Sequence, residues 1–224
     1  MIKFSLAALL VMGAAPMAVS AQAAADPDKN VTGGITVAGW VGRTDRATQQ
    51  ITNAKFFEMA GALHVTSGPP AIYWNPKNQA TGTYAVKATF TQVKAPTHPE
   101  AYGLFIGGSN LADENQNYMY CLVRGDGKFM VKHRAGSEVH TLADWTDNAA
   151  LKKQDAAGKA TNEISVWSSK DKLGCSVNGT EVFSVARADA VGGSGKLSES
   201  GSIYGIRVNH NLDVHISGFG MTKI

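Results

Sequence analysis

From Val31 onward the chain alternates. Short segments with an apolar residue at every second position recur, separated by Gly, Asn, Asp or Ser, and helical periodicity is almost absent. A period of two puts successive side chains on opposite faces of a strand. A chain built this way buries its apolar set only by stacking sheets. Tyr84, Val86, Ala88 and Phe90 alternate with Thr83, Ala85, Lys87 and Thr89, which predicts a half-buried strand. Ala101 to Ile106 is apolar and stops at Gly107-Gly108. Tyr118 to Arg124 is apolar on both faces, so it belongs in the middle of a sheet. Gly125-Asp126-Gly127 turns the chain into a return strand through Phe129, Val131 and His133. Further strands are expected at Phe56–Met59 and Ala62–Thr66 around Gly61, at Ile164–Ser168, at Ile203–Val208 and at Asp213–Met221. Leu173–Val177 and Glu181–Val185 flank Asn178-Gly179, a strong hairpin signal.

About twelve or thirteen strands at this spacing describe an all-β antiparallel sandwich. One short helix is expected near Asp147–Lys153, and Pro69-Pro70 with Pro76 read as a loop. No linker or repeat divides residues 26–224, so they read as one domain.

Composition closes other routes. Of 224 residues, 44% are apolar and 17% charged, too much core and too little charge for a disordered chain. A net charge of +3 excludes a strongly basic nucleic-acid binder. Residues 1–25 have the form of an export signal: Lys3, an apolar run from Phe4 to Met12, then small residues ending Ala21-Gln22-Ala23-Ala24-Ala25. Cleavage after Ala23 or Ala25 is expected, giving a periplasmic or secreted protein whose mature part holds no membrane span. Cys121 and Cys175 both fall in predicted strands. An even count in an exported chain favours a disulfide; two buried small hydrophobes are the alternative, because sequence leaves strand adjacency open.

The order of Ala62-Leu63-His64-Val65, the strand Tyr84–Phe90, Tyr102-Gly103-Leu104-Phe105, Tyr120 to Phe129, Val177-Asn178-Gly179, and Gly205-Ile206-Arg207-Val208 before Leu212-Asp213-Val214 resembles the concanavalin A-like lectin/glucanase superfamily. Within it the chain is similar to laminin-G-like and keto-disaccharide hydrolase-like domains of bacterial exported proteins. The resemblance implies a jelly roll of two curved antiparallel sheets, with glycans bound on the concave face or at the rim. It also raises a structural calcium near the terminal strands, with Asp213 as the candidate ligand. Calcium takes six to eight oxygens, and no acidic cluster surrounds Asp213 in sequence. No resident cofactor or metal is therefore assigned.

Catalytic signatures are missing. Family glucanases carry Glu-x-Asp on one strand face, and none of the seven glutamates here has Asp two residues on. There is no G-x-S-x-G elbow and no phosphate-cradling loop. If the chain were a disaccharide hydrolase or lyase, His133, His140, His210, Asp213 and His215 would be its acid–base candidates. Asp213 and His215 share a strand face, which also reads as a metal half-site or a wet surface.

Sugars offer flat C–H faces to aromatic rings and hydroxyls to polar side chains. The ligand-binding candidates on that chemistry are Tyr73 and Trp74, placed in a loop; Tyr118, Tyr120 and Arg124, on one strand face; His133; Trp167, between Ser165 and Ser169; Arg207 and Asn209, on one face; and His215. Core packing is the alternative for most of these aromatics. The expected partner is a glycan or small saccharide; a protein-binding envelope domain is a further reading.

Overall fold

Asn178 and Gly179 show how local chemistry sets this architecture. Both have positive φ, 51° and 83°, the backbone of a tight hairpin turn whose twist matches the strands it joins. The Asn178 side chain accepts from the Glu163 N–H and donates to the Ala150 carbonyl, tying the turn to its neighbours. The computed structural model describes residues 26–193 and 195–224; the export signal expected over residues 1–25 lies outside them.

Among the described residues the strands are β1 (Gly34–Ile35), β2 (Val41–Thr44), β3 (Ala54–Met59), β4 (Ala62–Ser67), β5 (Ala71–Gln79), β6 (Tyr84–Gln92), β7 (Ala101–Ser109), β8 (Asn117–Arg124), β9 (Lys128–Ala135), β10 (Glu138–Asp147), β11 (Ala160–Ser168), β12 (Lys172–Val177), β13 (Thr180–Ala186), β14 (Ile203–Val208) and β15 (Asp213–Lys223). They form an eight-stranded sheet, ordered β1-β3-β4-β15-β6-β11-β12-β13, and a seven-stranded sheet, ordered β10-β9-β8-β7-β14-β5-β2. Every pairing is antiparallel except β1 with β3. Sequence-distant strands are neighbours: the C-terminal β15 sits between β4 and β6, and β14 between β7 and β5. This is the all-β sandwich expected from the alternation, in the jelly-roll form that the resemblance implies.

The inner faces supply the main core. Phe56, Val65, Tyr84, Val86, Phe90, Ile164 and Val166 come from one sheet, and Tyr102, Leu104, Ile106, Met119, Val123 and Ile206 from the other. Cys121 on β8 and Cys175 on β12 are bonded across the sandwich, Cα to Cα 6.4 Å, so the bridge staples sheet to sheet. In the chain-entropy account a closed segment of this size stabilises by roughly 4 kcal/mol at most.

Three sequence expectations are corrected. Residues 71–79 form strand β5, not a loop. Pro76 is tolerated there because the β5–β14 ladder slips register between Ile203 and Gly205 and β2 pairs only up to Trp74, leaving Pro76 with no ladder partner. β10 goes unseen in the sequence because two irregularities, between Thr141 and Ala143 and between Ala143 and Thr146, break its alternation. The helix expected near Asp147–Lys153 is instead the end of β10 and a turn, closed by the Asn148 side chain on the Ala150 N–H. Among the described residues the α-helix is one turn, Arg187–Ala190, and a 3-10 turn spans Ile51–Asn53. No helix of the described residues is long and apolar enough to cross a membrane.

Candidate functional site

The seven-stranded sheet gathers many of the aromatic and basic residues singled out from sequence. Strand parity puts Tyr118, Tyr120, Leu122 and Arg124 of β8, Trp74 of β5 and Arg207 of β14 on its outer face. There Ile72, Trp74, Phe105, Leu111, Tyr118, Tyr120, Leu122 and Met130 build a second apolar layer. Arg207 lies in it, 5% exposed. Its two Nη atoms donate to both oxygens of Asp45 at 2.7 and 2.6 Å. Nη1 also donates to the Tyr118 hydroxyl at 3.1 Å, and the guanidinium sits 4.7 Å from the Tyr120 ring centre. Burial alone would push the Asp45 carboxyl up; Arg207, with Arg134 and Arg43 nearby, outweighs it and holds the carboxyl below its usual range. Burial pushes the Tyr118 phenol up to about 12, so it is a neutral hydroxyl. Arg124 lies over Trp145 at 4.3 Å and is forked onto Asp126.

This face is filled by its own side chains. Tyr118 is 0% and Tyr120 4% exposed, so neither ring is open for a sugar to stack on. Tyr73 points the other way, into the core against Phe56, with ring centres 4.8 Å apart. His133 also faces inward and is buried, its Nδ1 3.1 Å from the Gly195 carbonyl and its ring stacked on His140. Burial lowers the pKa of His133, against the pull of that carbonyl.

The outer face of the eight-stranded sheet holds Trp167 and His215. Trp167 packs over Gly174 and donates to the Ser176 hydroxyl. Asp213 and His215 do share the outer face of β15, with a third member unseen in sequence: His64 of β4, whose Nε2 is 2.6 Å from Asp213 Oδ1. The His64 and His215 rings are 5.9 Å apart. The three do not converge as a metal ligand set, and no group of three or more His, Cys, Asp or Glu among the described residues could hold a metal ion. His210 lies in the loop after β14, between Asp28 at 3.2 Å and Glu100 at 2.7 Å; Asn209 is beside it. The five acid–base candidates thus fall in three separate places.

One cavity combines open space with rings. β4 pairs with β15 only across Asp213–Ile216, because the β3–β4 hairpin turns at Ala60-Gly61; beyond Ile216, β15 runs on beside β6 alone. The split leaves a cavity of about 440 Å³, lined by Trp40, Glu58, Gly61, Ala62, Leu63, Asn78, Tyr204, Ile216, Gly218, Phe219 and Gly220. The rings form a connected wall: Trp40 is 5.3 Å and Tyr204 5.7 Å from Phe219. A Cβ on Gly61, Gly218 or Gly220 would meet nothing within 4 Å. These glycines keep the mouth wide.

The sequence matches no family model and no curated protein. Solved structures do match in fold. The carbohydrate binding module CBM66 from Bacillus subtilis superposes with TM-score 0.57 at 9% identity, over 86% of this chain and 99% of that one. A protein of unknown function with a galectin-like fold, also from Bacillus subtilis, gives 0.58 at 14%, over 82% and 89%. Alginate lyase A1-II′ gives 0.50 at 12%, over 75% and 83%. The chain shares their fold, a concanavalin A-like jelly-roll sandwich.

Within this concanavalin A-like sandwich, the cavity residues Trp40, Glu58, Asn78, Tyr204 and Phe219 are those that sequence reasoning passes over. Tyr204 and Phe219 read as ordinary strand residues, and Trp40 stands alone before β2. The available signal was Gly218-Phe219-Gly220: two glycines around an aromatic inside a strand mark a bulge or an approach point.

Proposed function

We propose that this domain binds carbohydrate, and that the sugar enters the cavity between the β3–β4 hairpin and the distal half of β15. The observation that carries this reading is the ring wall of Trp40, Phe219 and Tyr204, which lines the cavity together with Glu58 and Asn78. A sugar lays its C–H face on the rings and gives its hydroxyls to the two polar groups. The cavity volume suits one or two sugar units. Glu58 is its only lining carboxylate among the described residues, whereas hydrolysis by acid and base needs two, so binding fits the cavity better than turnover. Export through residues 1–25 completes the proposal, supported by the Cys121–Cys175 bridge, which persists in oxidising compartments.

Titration of the purified chain against neutral oligosaccharides, read by calorimetry, tests it. Asn78→Ala and Glu58→Gln each lower affinity about tenfold, the worth of a placed hydrogen bond or two, with melting temperature unchanged. Wild-type affinity in both variants overturns the assignment to this cavity.

A further inference from the structure

The aromatic cavity carries a charge that the fold does not use. Glu58 takes an inward position of β3, in step with Ala54 and Phe56 of the core, and lies opposite Leu63 in the β3–β4 hairpin. No Lys, Arg or His pairs with it among the described residues. None lines the cavity either. Burial raises the pKa of the Tyr204 phenol, so that side chain stays neutral and adds no second charge. The rings act in the same sense as the carboxylate, because the face of an aromatic ring is the negative part of its quadrupole. Trp40 and Tyr204 are inclined to Phe219 by 58° and 42°, so the wall curves. A cation within about 6 Å of such faces is attracted to them, most strongly by Trp. The whole chain has a net charge of +3, so its overall field does not draw cations in. Any selection for one is local to these side chains.

We propose that the cavity selects its ligand by an organic ammonium group, paired with Glu58 and held against the rings of Trp40, Tyr204 and Phe219. The inference rests on the carbohydrate reading above and narrows it: the sugar is an amino sugar with a free amine. An ammonium brings three donors. Glu58 accepts from it, and the Asn78 amide oxygen is a second acceptor in the same cavity. A hydrogen bond between two charged groups is about twice as strong as one between neutral groups. A neutral sugar gives Glu58 only hydroxyls, and an N-acetylated sugar hides its nitrogen in an uncharged amide. A quaternary amine such as choline shares the positive charge without the donors or the sugar ring, so it separates the two sources of the same chemistry.

The test is calorimetric titration of the purified chain at about pH 6, below the pKa of such amines. The probes are a glucosamine tetramer, its N-acetylated form, a glucose tetramer of the same linkage, and choline. The glucosamine tetramer binds about tenfold more tightly than either of the other two tetramers. Glu58→Gln costs it about a hundredfold, against about tenfold for the glucose tetramer, so the preference vanishes. Glu163→Gln, a carboxylate on β11 paired with Lys87, changes neither affinity. Melting curves of both variants separate loss of binding from loss of fold. Glucose or N-acetylated tetramers that bind as tightly as the glucosamine tetramer overturn the ammonium assignment and leave the carbohydrate reading standing. A preference that survives Glu58→Gln does the same. Choline bound in a Glu58-dependent way, with no tetramer bound, keeps the ammonium and overturns the sugar. Silence from every probe overturns both.

Discussion

The two sheets present opposite solutions to the same problem. The eight-stranded sheet alternates cleanly: β6 and β11 bury one face and leave Thr89, Lys87, Glu163 and Ser165 on the other. The seven-stranded sheet buries both faces of β7 and β8, because the side chains of its outer face pack into a second apolar layer. A charged residue on the first face is solvated and cheap to change. On the second face Arg207 is roofed by aromatic rings and must bring its own counter-charge, Asp45. The same strand alternation therefore predicts surface on one sheet and interior on the other.

The contrast is broken most directly at Arg207. Arg207→Met leaves the Asp45 carboxylate without its partner, and removing one member of such a pair costs about 3–5 kcal/mol. Chemical denaturation should show this loss, and Asp45→Asn added to Arg207→Met should recover part of it. If Arg207→Met costs under about 1 kcal/mol, the pair is solvated and the outer layer is not an interior. A smaller effect is expected at Leu122, fully buried on that outer face. Leu122→Ala costs about 2–4 kcal/mol through lost burial and a residual cavity, whereas Ser165→Ala on the opposite sheet stays within about 0.5 kcal/mol. Equal costs at the two positions would erase the distinction between the faces.

Legibility in the sequence followed the same division. Where one face is wet, alternation is unbroken, and β6, β11 and the β12–β13 hairpin are readable from Tyr84 to Phe90, Ile164 to Ser168 and Asn178-Gly179. β8 is also readable, since a run that is apolar on both faces announces a central strand. β10 is not, because its irregularities shift the phase of its own pattern. Site residues were harder for a related reason. Tyr118 and Tyr120, which the sequence groups with Arg124, meet Arg207, which it groups with Asn209, under a layer whose existence depends on Phe105, Leu111 and Met130 from other strands. The aromatic cavity depends on where β4 ends relative to β15, a fact of register between segments about 150 residues apart that no local pattern carries.

The open face has its own carboxylate–imidazole contact, and breaking it is predicted to cost less than either Arg207→Met or Leu122→Ala. Asp213 Oδ1 bonds His64 Nε2, and that hydrogen bond is the main reason the carboxyl is held below its usual range; Lys94 and Lys29 add to the pull. A carboxylate whose folded pKa is depressed stabilises the fold above the unfolded pKa near 4 and loses that contribution as pH falls through the folded value. Asp213→Asn should therefore melt a few degrees below the parent from pH 5 to 7, and the two melting curves should converge below about pH 3. The effect is about 1 kcal/mol, because the Asp213 side chain is partly open to water and the pair is screened. A gap that persists unchanged at pH 2.5 would mean that Asp213 acts through packing rather than charge. A gap as large as that for Arg207→Met would mean that the eight-stranded sheet, too, hides an interior on its outer side.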